Sequence, residues 1–204
     1  LVMAYAFLKA MGLDGNIGTI TVDMAGAATA SEGHRVVSAD KGGVTIESSR
    51  YPFCFYGSDK DPNGTRSILP FLPFNRDLNR LTLVVKNLAG ASAEVTWGKV
   101  SKTFSKAELE SGVNLADAFP ETPFAEAFSN LERLVGEKQS RETRIIKDLI
   151  THFPSMEADF KSDKEVLDAL SLLRRKMFEQ NAKDAARARA AVVPVTHTIR
   201  IVAR

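Results

Sequence analysis

The clearest pattern in the chain is the alternation of apolar and polar positions that begins at Leu81. Leu81, Leu83 and Val85 alternate with Thr82, Val84 and Lys86, and Val95 and Trp97 alternate with Glu94, Thr96 and Gly98. A period of two marks strands with one face on a core. Asn87 and Gly90 to Ser92 supply the turn between them. The segment after Trp97 predicts a turn into a third short strand. Ser105-Lys-Ala-Glu108 then fits a capping box that starts one turn of helix.

The first fifth of the chain predicts a meander of shorter strands. Ile20 and Val22 face inward and alternate with Thr19 and Thr21. Ala27 to Ala30 and His34 to Ser38 are short strands, and Gly42-Gly43 turns into Val44 to Glu47. At the other end, Val195, His197, Ile199 and Ile201 share one face, so a closing strand over 193–203 returns to the sheet.

Between these strands the period changes to that of helices. Phe124, Phe128, Leu131, Val135, Ile145, Ile146, Leu149 and Phe153 keep roughly a 3.6 spacing, with Thr122 as cap, Pro123 at the first helical position and Pro154 as the stop. Ser162-Asp-Lys-Glu165 reads as a second capping box before Val166, Leu167, Leu170, Leu173 and Met177. A helical hairpin over about 122–190 follows. The fold class expected is α+β: an antiparallel β-sandwich-like sheet with an inserted long helical hairpin, preceded by an isolated apolar helix. The expected division is 1–14 for that first helix and 15–204 for a β-rich domain that carries the hairpin.

LVMAYAFLKAMG has one charge, Lys9, and stops at Gly12, a favourable left-handed helix end. A helix apolar nearly all round is normally covered on most sides. No Ser, Thr, Asp or Asn precedes it as a cap. The expectation is that the sequence starts inside a helix of a longer protein. A signal-peptide remnant is the alternative, although the basic leader and small-residue cleavage site are missing. The run Leu1 to Leu8 is too short to span a bilayer.

Arg50 to Asn79 differs from the rest. It holds four of the eight prolines together with a cluster of phenylalanines. Proline at this density excludes a helix or a central strand, and the aromatics exclude a disordered linker. An ordered loop folded over another surface is expected. Such loops often carry function, though these aromatics can equally plug the rim of a sandwich.

Composition narrows the chemistry. A net charge of +2 over 204 residues offers no nucleic-acid patch. One cysteine, Cys54, permits neither an internal disulfide nor a zinc cluster, and no cofactor motif is present. Of the three histidines, His34 is expected at the surface, His152 near a helix C-terminus and His197 in the core. None is spaced for a shared metal. Arg66, Asn75, Arg76 and Asp77 in the Pro/Phe loop are the best candidates for contact with a substrate. The plainer alternative is that they satisfy loop backbone groups. Arg174-Arg175-Lys176 reads as a solvated helix face.

Several of these segments resemble a known family. LVMAYAFLKAMGLDG looks like the last helix of the hydrolase domain in the SGNH (GDSL-like) esterase and lipase family. The strand ending in VKNL, the WGK turn, FSKAELESGVNLA, SRYPFCFYG, SILPFLPFNRDLNR and VVPVTHTI resemble a C-terminal extension in one bacterial branch of it. The resemblance implies an accessory domain of a serine ester hydrolase, with an upstream hydrolase domain of the same chain as partner and an ester of a carbohydrate or lipid as substrate. The family's Ser nucleophile, its His and Asp, and its oxyanion donors map onto no residue here, and Asp-x-x-His does not occur. Catalytic residues within 1–204 are therefore expected to be none. The single cysteine is neutral about compartment, which leaves an exported parent, periplasmic or secreted, open. The alternative function is a non-catalytic carbohydrate- or protein-binding module, with Trp97 and the Phe/Tyr loop as its platform.

Overall fold

The computed structural model describes residues 1–204 and confirms the α+β class. The chain divides into two compact units, one formed by Leu1–Phe128 with Pro194–Arg204 and the other by Ser129–Val193.

The first unit holds two sheets on one core. Strands β1 (Asn16–Asp23), β2 (Ala27–Ala30), β3 (His34–Asp40), β4 (Gly43–Ser48), β5 (Arg80–Lys86), β6 (Ser92–Trp97), β7 (Val100–Ser105), β8 (Val113–Asn114) and β9 (Val195–Ala203) follow in chain order. They assemble in the orders β2-β1-β5-β8 and β3-β4-β9-β6-β7. Alternation dictates the packing. Ile20, Val22, Leu81, Leu83 and Val85 from the first sheet meet Ile46, Val95, Trp97, Ile199 and Ile201 from the second in one buried cluster. The closing strand β9 inserts between β4 and β6, as its inward His197, Ile199 and Ile201 require.

One pairing departs from the antiparallel expectation: β1 and β5 run parallel. The reason lies in how the loop returns. Gly15 has φ +69, and a Cβ there would sit 2.2 Å from the Leu78 Cα. The backbone of the loop end presses onto the entrance of β1, and the Arg80 N–H donates to the Gly15 carbonyl at 2.9 Å. The Arg80 guanidinium also reaches the Asp14 carbonyl at 2.6 Å. Both strands therefore start side by side and point the same way.

Helix α1 (Val2–Ala10) lies on α2 (Phe74–Leu78) within this unit. The proline-rich segment therefore does hold a helix, against the expectation that its prolines exclude one: Pro73 stands just ahead of α2 and no proline falls inside it, so no helical N–H is lost. Short helices α3 (Lys106–Ser111) and α4 (Leu115–Ala118) follow β7 and β8. The Ser105–Glu108 capping box is formed in both directions.

The second unit is the helical hairpin. Helix α5 (Ala125–Arg144) starts in the first unit, runs on into a π-helical stretch, Ile145–His152, and continues as α6 (Phe153–Asp159); α7 (Lys164–Ala190) returns. Two expectations are corrected here. Pro154 does not stop the helix: it stands at the start of α6, directly after the π-helical stretch, where the helical bonding has already been loosened. Asp163, not Ser162, caps α7, accepting from the N–H groups of Glu165 and Val166. A carboxylate complements the positive helix end better than a hydroxyl does. Ion pairs Arg141–Asp184 and Arg174–Glu157, with Arg187–Glu137, join the antiparallel helices around a small core of Ile145, Leu149 and Phe153. Arg174 of the basic run is thus a cross-helix partner.

Candidate functional site

The Pro/Phe loop is ordered and stitched down by three asparagines. Asn79 exchanges hydrogen bonds with the Phe53 backbone, accepting its N–H at 2.8 Å and donating to its carbonyl at 3.0 Å. It also donates to the Asn75 side chain at 2.9 Å. Asn114, ahead of α4, donates to the carbonyls of Asn75 and Asn79. Phe53, Phe55 and Phe74 pack behind this frame, Phe55 edge-on to the other two and Phe53 tilted on Phe74, with centroids 4.8 to 5.4 Å apart. Two-sided amide groups suit this work, since each offers a donor and an acceptor to an irregular backbone.

The four candidate residues fall into two places. Arg76 and Asp77 face α1. The Asp77 carboxylate accepts from the Tyr5 hydroxyl at 2.6 Å and from Arg76 Nε at 2.9 Å, with the Lys9 ammonium at 3.9 Å. Those donors, Tyr5 first and Arg76 second, hold its carboxyl below the usual range, and the same bond raises the Tyr5 hydroxyl. This pair is a clamp for α1.

Arg66 and Asn75 line a cleft. Its deep chamber, about 60 Å³, is bounded by Phe53, Arg66, Asn75, Asp117 and Thr122 among others. A wider mouth of about 370 Å³ reaches Gly98, Lys99, Glu121, Pro123 and Ala125. Chamber and mouth share Cys54, Phe55, Arg66, Pro120 and Thr122. Arg66 Nη2 donates to the Phe55 carbonyl at 3.3 Å and the Pro120 carbonyl at 3.2 Å. Its Nε is buried without a partner. Asn75 donates to Asp117 Oδ1 at 3.0 Å. Cys54 is buried and lies 3.2 Å from the Thr122 hydroxyl, both lining the cleft. Asp117, Lys99 and Glu121 carry no signal in the sequence, because only the fold brings them to the loop.

A second polar constellation lies inside the core. His34 was expected at the surface and is buried instead. Gly18 on the opposite strand makes the room, since a Cβ there would lie 2.3 Å from His34 Nε2. The Trp97 indole N–H can only donate, so His197 Nδ1, 3.0 Å away, is the acceptor. His197 Nε2–H then donates to Ser48 Oγ at 2.9 Å, the Ser48 hydroxyl donates to His34 Nδ1 at 2.8 Å, and His34 Nε2–H donates to the Ile17 carbonyl at 3.1 Å. Every member has one role and both imidazoles are neutral. Burial pushes His197 down to about 4 and His34 below its ordinary value. Ser48 touches two histidines, yet it is sealed from solvent and neither ring is oriented by a carboxylate. The arrangement runs across one sheet and reaches the other only through the His34–Ile17 bond, and it is not a nucleophile with its base.

Trp97 itself is 0 % exposed, so it offers no platform for a ligand; Tyr56, at 50 %, is open. No group of His, Cys, Asp and Glu could hold a metal ion. No helix is long and apolar enough to cross a membrane.

No family description and no curated protein matches the chain. A solved structure described as a gut microbial diltiazem-metabolizing enzyme superposes with a TM-score of 0.68 at 18 % identity, over 100 % of this chain and 53 % of its own. The chain thus spans about half the length of that enzyme, and at this identity the likeness is one of fold.

Proposed function

We propose that this chain is the C-terminal portion of an SGNH/GDSL-type serine ester hydrolase, an accessory β/α domain that docks on the catalytic body and holds none of its catalytic blocks. The observation that carries the reading is the outer flank of α1. One side of the helix is pinned by Tyr5, Lys9 and Asp77, and packs Tyr5 and Leu8 beside Phe74. The other side presents Met3 at 72 %, Phe7 at 61 % and Met11 at 68 % exposure. Large apolar groups in a row, opposite a face already satisfied, suit burial against a neighbouring domain. The fold likeness to an enzyme about twice as long is consistent with a companion domain.

The test is hydrolysis of short acyl esters by the complete gene product and by residues 1–204 alone. Activity in the first and none in the second is expected. A complete gene product with no Ser-His-Asp set, or one inert toward such esters, overturns the reading. The alternative binding module loses Trp97 as its platform, because that ring is buried beneath Phe119 and Phe124.

A further inference from the structure

We infer that the cleft at Arg66 is a binding site for a neutral polyhydroxyl ligand, a sugar ring or glycoside. This gives the carbohydrate expectation a definite place in the fold and does not depend on the hydrolase reading.

The argument starts from unmatched charge. Arg66 and Asp117 line the same small chamber, yet no ion pair joins them, and Lys99 and Glu121 stand at the mouth without one either. The Arg66 guanidinium gives only Nη2 to protein carbonyls, while Nε is unpartnered. The Asp117 carboxylate uses one oxygen, Oδ1, for Asn75. Arg66 and the exposed Asp117 carboxylate therefore bring a donor and an acceptor to the lining of one small space. A hydroxyl satisfies both at a single atom, accepting from Arg66 while donating to Asp117. A carboxylate ligand meets Asp117 and Glu121, and an ammonium meets Arg66 and Lys99, so mixed charge selects against either ion.

Shape agrees. A chamber of about 60 Å³ admits a hydroxyl or hydroxymethyl group, and the mouth of about 370 Å³ lies within the size range of small-molecule sites. Phe55, Pro120 and Pro123 supply apolar walls for the C–H face of a pyranose. The polar groups are preset, because Asn75 is buried and Arg66 is held by two carbonyls, so little ordering is needed on binding.

The experiment titrates residues 1–204 with three ring-sized probes while following the Arg66 Nε–H and the Asp117 and Ala125 amides by NMR. The probes are methyl β-glucopyranoside, cyclohexanecarboxylate and cyclohexylammonium. The glycoside is expected to shift these resonances at millimolar concentration, and the two ions are not. Asp117→Asn keeps an acceptor for Asn75 but removes the charge, and should weaken the glycoside about tenfold, as loss of one charged hydrogen bond does. Ala125→Trp obstructs the mouth from an exposed position and should abolish the shifts. An unchanged Trp97 indole resonance certifies the fold of each variant. The inference is overturned if the glycoside leaves the resonances unmoved, if either ion moves them more, or if Ala125→Trp leaves glycoside binding intact. An inert result in the ester assay leaves this outcome unaffected, so the two readings fail separately.

Discussion

Ser48 decides more than its size suggests. Its hydroxyl is the relay between two imidazoles, and the direction of every bond in that chain is fixed by the indole at one end and the Ile17 carbonyl at the other. Ser48→Ala leaves a buried acceptor and a buried donor without partners, at a cost of about 1 to 3 kcal/mol for each. Denaturant unfolding followed by Trp97 fluorescence should show a loss in that range; a neutral result means the relay adds no net stability. The histidines add a pH dependence. His197 drops from 6.5 to about 4 on folding, so between those values the unfolded chain binds more protons than the folded one. Stability is whole above pH 6.5 and drains as the pH falls toward 4, by about 3 kcal/mol for this residue. His34 contributes with the same sign. Unfolding curves at neutral and mildly acid pH, on wild type and His197→Asn, check whether that slope belongs to the ring.

At the scale of elements, two junctions set the architecture. Gly15 lets the end of the Pro/Phe loop lie against the start of β1, which places β5 parallel to it. Gly15→Ala adds a side chain at φ +69 and a contact 2.2 Å from backbone, and should cost about 3 kcal/mol or more. The measurement is the denaturant midpoint, and Gly12→Ala is the control for the backbone angle alone, since it shares a positive φ of +77 but nothing lies within 4 Å of a Cβ there, so it should cost less. The second junction is the Tyr5–Asp77 bond that seats α1 on α2. Tyr5→Phe keeps the ring beside Phe74 and removes only the hydroxyl. Hydrogen exchange of the α1 amides should quicken while that of β5 and β6 stays as it was. Equal exchange in α1 means the ring alone seats the helix.

Across the whole molecule, the two units rest on different forces. The first buries a wide apolar core around Trp97, the sole tryptophan. The hairpin has a small core and relies on ion pairs between its helices, two of them a third to half exposed and the Arg141–Asp184 pair more buried. Exposed pairs weaken with salt. Heating should therefore give two transitions, with helical signal at 222 nm lost before the Trp97 near-ultraviolet signal. Added salt should lower the first and spare the second. Coincident transitions at every salt concentration mean the units unfold as one.

The sequence by itself determined the elements. Alternation at Ile20, Leu83, Val95 and Ile199 fixed which strand faces go inward, because burial of one face leaves a single workable phase. Ser105–Glu108 fixed a helix start, because a capping box is a local bond pattern. Density of proline and phenylalanine marked the ordered loop and its residues Arg66 and Asn75. Only the tertiary structure decided what those residues meet. Asp117, Lys99 and Glu121 reach the cleft from segments distant in sequence, and His34 turns inward because Gly18 on another strand leaves space. The parallel pairing of β1 with β5 belongs to the same class. Local periodicity encodes which way a side chain points from its own backbone, whereas a partner across the fold depends on where another segment comes to rest.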